Sequence, residues 1–291
     1  MNKVKKAVIP VAGFGTRFLP FTKAVPKMML PVIDKPVLQI IAEEAAESGI
    51  EEILFIVGRH AEIIKSYFTE DEEINELVKK PSLSAFKEKV QAITGLAEYS
   101  FAIQEEQRGT AHAVALAEEF AAGEPFLLMF GDDLMYNPNC PVSKQLIQAY
   151  ERVGQTVIGC KRVPFEDVPK YATVELGNTD GRLGEVVRIV EKPALKDVIS
   201  NLAPLGRYVC SGDIFNYIRK TPVGKNGEYQ ITDTFALLSN EGKLYSYEFE
   251  GKRYDTGDKL GYLKAVVEFS MRDEEFGKVF TEYLKEITNE E

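Results

Sequence analysis

The chain has 291 residues and a formal net charge of −10 at pH 7, and its residues are 45% hydrophobic and 27% charged. This length is near the upper limit for one hydrophobic core, and the composition is ordinary for a globular protein in water. The acidic balance argues against nucleic acid as a partner. No apolar run approaches about 18 residues, so no membrane span is predicted.

The cysteines and the N-terminus indicate a cytoplasmic protein. Cys140, Cys160 and Cys210 are odd in number and lack the spacing of metal ligands, so we expect unpaired thiols in a reducing compartment. The N-terminal segment leads directly into a strand, without the apolar region and cleavage site of a signal peptide.

The first half of the sequence alternates apolar runs with amphipathic segments. In chain order it predicts a strand at 7–11, a helix at 36–48, a strand at 51–57, a helix at 60–68, helical segments within 69–80 and 82–96, a strand at 99–104, a helix at 109–120 and a strand at 125–130. Alternating strands and helices are typical of a parallel sheet with right-handed crossovers.

The second half of the sequence has a more mixed pattern. It predicts strands at 156–160, 171–176, 184–190, 207–210 and 243–250, and helices at 213–219, from 229 onward, at 258–271 and at 274–287. The strands on either side of the turn at 178–181 are expected to pair as a hairpin.

A glycine-rich loop follows the first strand. Gly13 and Gly15 let the backbone approach a ligand closely, and their N–H groups can line an anion-binding concavity. Arg17 adds donors suited to phosphate oxygens, and Lys27 adds a second cation in a segment too rich in proline for a helix. Phe18 stands where a dinucleotide fingerprint needs glycine, and no Walker triplet follows the loop. The loop therefore predicts a polyphosphate site of another kind.

Polar residues also follow other predicted strands, at the ends where open α/β sheets bind ligands. Gln104 ends the third strand, Asp132 follows the fourth, and Asp255 follows a strand near the C-terminus. Carboxylates suit Mg²⁺, which keeps part of its coordination shell for water and substrate phosphates. A turn or helix-cap aspartate is the alternative interpretation of either position, and Asp133 is a second candidate beside Asp132.

The segment from Pro10 to Gln39, PVAGFGTRFLPFTKAVPKMMLPVIDKPVLQ, resembles the sugar-nucleotide pyrophosphorylases, and among them the bacterial UTP–glucose-1-phosphate uridylyltransferases. The resemblance extends along nearly the whole chain. It implies the nucleotidyltransferase fold, an α/β Rossmann-like mixed, mostly parallel sheet flanked by helices with a small sugar-binding β-rich lobe. One domain, 1–291, is expected, with a nucleotide-binding part at about 1–135, a sugar-phosphate-binding part at about 136–260 and C-terminal helices at about 258–291.

The same resemblance implies roles for individual residues. The catalytic cations are Arg17 and Lys27, on the nucleotide phosphates, and Lys192 of the Glu-Lys-Pro motif, on the sugar phosphate. The nucleotide-binding positions are Ala12, Gly13, Gly15, Thr16, Gln104 and Gly109. The sugar-binding positions are Glu191, Tyr208 and Gly212, and the Mg²⁺ ligands are Asp132 and Asp255.

The reaction that the resemblance implies is uridylyl transfer from UTP to glucose 1-phosphate, with UDP-glucose and pyrophosphate as products. The family also implies a homodimer or homotetramer. Two alternatives stay open: a thymidylyl- or other nucleotidyltransferase for a different sugar 1-phosphate, and a non-catalytic regulatory subunit that binds sugar nucleotides. His60 and His112 form no recognisable catalytic pair, and we expect both to be structural.

Overall fold

The computed structural model describes residues 3–224 and 227–289. Its strands are β1 (Lys6–Pro10), β2 (Pro31–Val32), β3 (Lys35–Pro36), β4 (Glu52–Val57), β5 (Glu98–Ile103), β6 (Phe126–Met129), β7 (Asp133–Tyr136), β8 (Thr156–Arg162), β9 (Ala172–Asp180), β10 (Leu183–Glu191), β11 (Leu202–Cys210), β12 (Leu244–Glu248) and β13 (Lys252–Asp255).

The α-helices of the same residues lie between and after these strands. They are α1 (Val37–Glu47), α2 (Ala61–Phe68), α3 (Glu72–Leu77), α4 (Lys87–Thr94), α5 (Thr110–Ala115), α6 (Glu118–Ala121), α7 (Val142–Val153), α8 (Ile214–Ile218), α9 (Ile231–Ser239), α10 (Lys259–Arg272) and α11 (Gly277–Asn289). Among these helices, none has the length and apolar content needed to cross a membrane.

Nine of the described strands form one sheet in the order β5-β4-β1-β6-β11-β8-β12-β10-β9. Strands β5, β4, β1 and β6 run parallel, and β8, β12 and β9 share their direction, whereas β10 and β11 run the opposite way. The predicted mixed, mostly parallel sheet is therefore confirmed. The sheet runs without a break through the two parts expected to bind nucleotide and sugar phosphate.

Both faces of the sheet are buried, because side chains alternate along each strand. In β1, Ala7 and Ile9 belong to the core on the side of α1, α2, α7 and α10, while Val8 belongs to the core on the side of α5, α8 and α9. In a strand covered by helices on both faces, consecutive residues are apolar. Ala7, Val8 and Ile9 of β1 follow this pattern. Because the helices cover both faces of the sheet, we expect the ligand-binding groups at the edge where the strands end.

The structure adds elements that the sequence pattern did not predict. Helix α7 buries Val142, Leu146, Ala149 and Tyr150 on one face and ends at Gly154, whose φ of 66° is left-handed. Strand β7 begins directly after the predicted strand β6 and pairs antiparallel with β13. The helix predicted at 109–120 is divided into α5 and α6, and the short strand predicted at 207–210 is the nine-residue β11.

Candidate active site

The glycine loop leaves β1 and folds back on itself through short 3₁₀ turns. Gly15 has a φ of 63°, and a Cβ there would lie 3.0 Å from Cγ2 of Thr22 and 3.1 Å from Cβ of Lys27. The hydroxyl of Thr22 donates to the carbonyl of Gly15 at 2.9 Å. Glycine is thus required here both by the backbone conformation and by the close approach of the segment that carries Lys27.

A two-stranded ribbon brings the two predicted metal ligands together. Strands β7 and β13 pair with Asp255 opposite Asp133, so Asp255 lies beside the turn that holds Asp132. The amide and the hydroxyl of Thr256 each donate to the carbonyl of Asp132 at 2.8 Å. A Cβ on Gly257 would lie 2.7 Å from Oδ2 of Asp132 and 3.0 Å from Oδ1 of Asp255, so both carboxylates reach the same point.

Lys27 forms an ion pair with Asp132, which is 105 residues away in the sequence. Burial raises the pKa of Asp132, but the charge and hydrogen bond of Lys27, together with the charge of Arg253 and a backbone hydrogen bond, lower it by more. The pKa of Asp132 is therefore held below its ordinary value. The side chain of Asp132 keeps 30% of its exposure, so the carboxylate remains open to the cavities on either side.

Asp133, the second metal candidate of the sequence, has a different role. Its carboxylate receives Nε and Nη2 of Arg253 at 2.5 Å and is almost fully buried. Burial raises the pKa of Asp133 to about 6, with repulsion from Asp132 and Asp255 acting in the same direction and Arg253 opposing it. Nη2 of Arg253 also lies 3.4 Å from Oδ2 of Asp255, so this guanidinium links the two aspartates.

Two carboxylates at one point fit the way proteins hold Mg²⁺, with one or two acidic ligands and the rest of the shell left for water and phosphates. Within residues 3–224 and 227–289, no cluster of three or more His, Cys, Asp or Glu side chains has metal-binding geometry. A divalent ion at Asp132 and Asp255 would consequently complete its coordination with water and phosphate oxygens. The absence of a side chain at Gly257 leaves room for it between the carboxylates.

One cavity, the Lys192 cavity, gathers most of the predicted catalytic and sugar-binding side chains. Its lining includes Arg17, Asp132, Glu191, Lys192, Tyr208 and Asp255. Nη1 of Arg17 donates to the carbonyl of Gly257 at 3.4 Å, which places its guanidinium beside the metal candidates. Lys192 has a φ of 39°, rare for a residue with a side chain, and its amide donates to the carbonyl of Tyr171 at 2.8 Å. Its side chain remains 53% exposed.

The structure does not place Gly212 with the other predicted sugar-binding residues, Glu191 and Tyr208. Strand β11 runs antiparallel to β6, with Cys210 opposite Phe126 at the start of β6, so Gly212 lies at the sheet edge opposite Asp132. A Cβ on Gly212 would lie 1.9 Å from the carbonyl oxygen of Gly123, so glycine is required there for packing. Tyr208 does line the Lys192 cavity, but its ring is buried between Phe130 and Phe235 and its hydroxyl accepts from the amide of Gly206 at 3.2 Å.

A second cavity, the glycine-loop cavity, gathers four of the six predicted nucleotide-binding residues. Its lining includes Ala12, Gly13, Lys27, Gln104, Gly109 and Asp132. Gly109 has a φ of 108°, and a Cβ there would lie 2.4 Å from the carbonyl oxygen of Tyr229, so only glycine fits. Gly13 has open space around its Cα, as a close backbone contact with a ligand requires. Thr16 lies on the other side of the loop, in a cleft with Lys23, Arg59 and His60.

The two cavities share a wall. Thr110, Phe130 and Asp132 line both of them, so a ligand in either cavity lies against the same aspartate. Arg17 and Lys192 supply positive charge to the Lys192 cavity and Lys27 supplies it to the glycine-loop cavity, so all three cations surround the shared wall, the meeting point of the two cavities. The cations predicted from the sequence are therefore brought together rather than spread over separate surfaces.

Several residues of the site were not predicted. Arg253, Tyr171 and Lys170 line the Lys192 cavity. Gln107 lines the glycine-loop cavity, and His112 contacts Gln104, which also lines it. Arg253 and Asp255 are two residues apart on one strand and share its face, a pattern that was available in the sequence. The amide of Gln107 donates to the carbonyl of Ala12. His112 contacts the side chain of Gln104, and no local pattern indicates that contact.

Comparison with known proteins shows the family to which this chain belongs. A family model described as nucleotidyl transferase matches residues 6–271, and the chain belongs to that family. The chain is 42% identical, over 287 residues and 99% of each chain, to UTP–glucose-1-phosphate uridylyltransferase 2 of Staphylococcus saprophyticus. It is 40% identical, again over 99% of each chain, to UTP–glucose-1-phosphate uridylyltransferase of Staphylococcus epidermidis.

Solved structures of the same class have the same fold. A UTP-bound UGPase from Acinetobacter baumannii aligns with a TM-score of 0.90 and 30% identity, covering 97% of this chain and 99% of that chain. A UDP-glucose pyrophosphorylase in complex with UDP-glucose aligns with a TM-score of 0.84 and 34% identity, covering 93% of this chain and 100% of that chain. These alignments confirm the predicted nucleotidyltransferase fold.

Proposed function

We propose that this chain transfers the uridylyl group of UTP to glucose 1-phosphate, forming UDP-glucose and releasing pyrophosphate. The observation that carries the proposal is the wall shared by the two cavities, where Asp132 faces both. The likeness to uridylyltransferases over 99% of the chain supports the choice of substrates.

The proposed reaction is an in-line displacement at the α-phosphorus of UTP. A phosphate oxygen of glucose 1-phosphate forms the new P–O bond, and the bond from the α-phosphorus to the bridging oxygen breaks, so that pyrophosphate leaves with that electron pair. No covalent intermediate on the protein is needed. Catalysis in such a reaction consists of positioning and charge stabilisation, and the chain supplies both from side chains at one sheet edge.

Charge is the main obstacle that the site must overcome. Two like charges about 4 Å apart repel by about 4 kcal/mol at an effective dielectric constant near 20, and the two substrates bring several such pairs together. In the proposal, Lys27 binds the α-phosphate, Arg17 the outer phosphates of UTP and Lys192 the phosphate of the sugar. Glu191, beside Lys192 in the same cavity, accepts hydrogen bonds from sugar hydroxyls.

Asp132 and Asp255 are proposed to hold Mg²⁺ together with substrate phosphates. When bound there, the ion neutralises phosphate charge and helps to orient the reacting groups. Because Lys27 pairs with Asp132 in the described structure, we expect Lys27 to exchange this partner for the α-phosphate when UTP binds. Ala12 and Gly13 are proposed to contact the base through their backbone, and Gln104 through its side-chain amide.

The direct test is pyrophosphate release from purified protein with UTP and glucose 1-phosphate, with Mg²⁺ and with EDTA. Asp132→Asn and Asp255→Asn are expected to lower kcat by about 10²–10³, as the loss of one preorganised electrostatic group does in other enzymes. Asp258→Asn is the matched control, since Asp258 caps α10 through the amide of Gly261 and asparagine caps equally well.

The outcome separates the alternatives. A clear preference for dTTP over UTP would favour the thymidylyltransferase, and the absence of turnover with every nucleoside triphosphate would favour the regulatory subunit. Full turnover by Asp132→Asn with Mg²⁺ would contradict the metal site. The presence of Arg17, Lys27 and Lys192 around one meeting point supports an active enzyme.

We also propose a homodimer or homotetramer. Helix α11 carries a stripe of Val279, Tyr283 and Ile287, each about half exposed or more, on the face that does not pack on the chain. Light scattering during size-exclusion chromatography measures the state directly. A monomer at micromolar concentration would contradict the proposal.

A further inference from the structure

The turn that holds Asp132 is contacted at both ends by one buried arginine. Residues 130–133 form a tight turn, in which the amide of Asp133 donates to the carbonyl of Phe130 at 3.3 Å. Nη1 of Arg207 donates to the carbonyl of Phe130 at 3.4 Å, and its Nη2 donates to the carbonyl of Asp133 at 2.8 Å. The guanidinium of Arg207 therefore joins the two ends of the turn, and Asp132 lies between them.

The acceptors around Arg207 match the five N–H donors of a guanidinium. Nη1 also donates to the carbonyl of Gly206 at 3.0 Å, while Nε and Nη2 donate to the carboxylate of Glu44 at 3.1 and 2.7 Å. Three donors are thus directed to backbone carbonyls at or beside the turn, and two are directed to Glu44. Because Arg207 is fully buried, its guanidinium cannot move without leaving a donor unpaired, which is costly.

Glu44 holds the other side of the guanidinium. Its Oε1 accepts from the amide and from the hydroxyl of Ser143, at 3.0 and 2.7 Å. Glu44 belongs to α1, Ser143 to the first turn of α7 and Arg207 to β11. The position of the guanidinium is therefore set by three elements that lie on the core side of the metal candidates.

Stability alone does not account for this arrangement. A buried ion pair loses the hydration of both charges, and apolar side chains of similar volume often stabilise a fold as well or better. The donors that Arg207 directs to the carbonyls of Phe130 and Asp133 are also not needed for its pairing with Glu44. These contacts point to a role in the geometry of the turn.

We propose that Arg207 is a positioning residue of the metal site, which fixes the turn at 130–133 so that the carboxylate of Asp132 meets that of Asp255. The inference rests on the proposed function, in which these carboxylates hold Mg²⁺ together with substrate phosphates. Arg207 acts through the backbone, because its contacts in the turn are to carbonyl oxygens. Thr256 complements it from the β13 side, with two hydrogen bonds of 2.8 Å to the carbonyl of Asp132.

The test compares the wild type with Arg207→Lys in two measurements. Lysine keeps a positive charge for Glu44, but its single nitrogen cannot replace the planar fork. The Mg²⁺ concentration that gives the half-maximal rate is expected to rise about 10- to 100-fold, as when a group that orients a metal ligand is lost. Mn²⁺ binding in the presence of UTP alone, followed by electron paramagnetic resonance, should weaken by a similar factor, and this measurement needs no turnover.

The double variant Glu44→Leu with Arg207→Met separates position from stability. It should recover part of the stability lost in Arg207→Met. It should nevertheless keep the weakened metal binding, because methionine has no donor for the carbonyls of the turn. If Arg207→Lys fails to fold, this variant gives the same comparison.

Thr156→Ala is the matched control. Thr156 is fully buried at the start of β8, at the far edge of the sheet, and its hydroxyl lies 2.9 Å from that of Ser211. The loss of this buried hydrogen bond should lower the stability while the Mg²⁺ requirement and the Mn²⁺ affinity stay unchanged.

The outcomes separate this inference from the proposed function. No turnover of UTP by the wild type with Mg²⁺ would overturn the proposed function and this inference with it. An active wild type whose Mg²⁺ requirement and Mn²⁺ affinity are shared by Arg207→Lys and by the double variant would overturn the role of Arg207 alone. Recovery of metal binding together with stability in the double variant would show that Arg207 only stabilises the fold.

Discussion

The ammonium group of Lys27 contacts the carboxylate of Asp132, although the two residues come from opposite ends of the nucleotide-binding part. The pair lies where the two cavities meet. Lys27 reaches Asp132 only when the glycine loop folds back. The contact therefore forms only if this loop and the turn that holds Asp132 are correctly assembled.

We predict that Lys27→Met lowers the free energy of unfolding by about 1.5–3 kcal/mol at pH 7, the range for hydrogen bonds to charged groups. The pKa of Asp132 is depressed in the folded chain, so its contribution is complete above the unfolded pKa and is lost as the pH falls through the folded pKa. The difference between wild type and variant should therefore shrink below about pH 4. Urea unfolding from pH 7 to pH 2 measures it.

The control for this prediction is Lys23→Met, an exposed lysine on the same loop, which should change the stability little at any pH. A difference between wild type and Lys27→Met that persists in full at the lowest pH would show that the charge of Asp132 is not its source.

We predict that Arg207→Met destabilises the protein by about 3–5 kcal/mol, because it leaves a buried carboxylate without its partner. Arg207 is fully buried, pairs with Glu44 at 2.7 Å and donates to the carbonyls of Gly206 and Asp133 at 3.0 and 2.8 Å. The double variant Glu44→Leu with Arg207→Met should recover part of the loss. Chemical denaturation of the wild type and these two variants measures this, and equal losses for Arg207→Met and the double variant would contradict it.

We predict that Gly206→Ala and Gly212→Ala have different consequences although both crowd the backbone. A Cβ on Gly206 would lie 2.2 Å from Oδ2 of Asp133 and so displaces the buried Asp133–Arg253 pair, which should lower kcat. A Cβ on Gly212 collides with Gly123 at the far edge, which should lower stability while the folded fraction keeps its KM for glucose 1-phosphate. Kinetics corrected for the active fraction measure both. A raised KM in Gly212→Ala would restore the sugar-binding role first predicted for that residue.

We predict that Lys192→Met raises KM for glucose 1-phosphate by about 10- to 150-fold, the equivalent of one charge-assisted hydrogen bond. KM for UTP should change little, since Lys192 does not line the glycine-loop cavity. Lys196→Met is the control, an exposed lysine four residues further along. Equal increases in both KM values would argue that Lys192 contacts the nucleotide instead.

Gln104 and Asp132 could be placed at this edge from the sequence, because their position depends only on where a parallel strand ends. Gln104 and Asp132 follow β5 and β6, and parallel strands end at one edge of a sheet. The role of Gly212 was implied by the family resemblance alone, and Gly212 lies at the far edge because β11 is antiparallel to β6. Six residue steps of at most about 3.3 Å each separate it from Gly206, which lines the Lys192 cavity, so the two lie up to about 20 Å apart.

The contacts of Arg253 and His112 depend on information that no local pattern contains. Arg253 meets Asp133 only because β13 pairs with β7 in one particular register. His112 meets Gln104 only because α5 begins at Thr110 and turns its third residue toward the end of β5. Registers and helix phases between distant segments are set by packing, so these two partners became visible only in the folded structure.

Strand β11 has one further consequence. It is hydrogen-bonded to β6 on one side and to β8 on the other, so the halves of the molecule that are proposed to bind the two substrates are parts of one continuous ladder. A hinge between them would have to break buried backbone hydrogen bonds, each of which is costly to leave unmade. We therefore expect the distance between the two bound phosphates to be fixed when the chain folds. Adjustment to the substrates is then left to the loops at the sheet edge that holds the site.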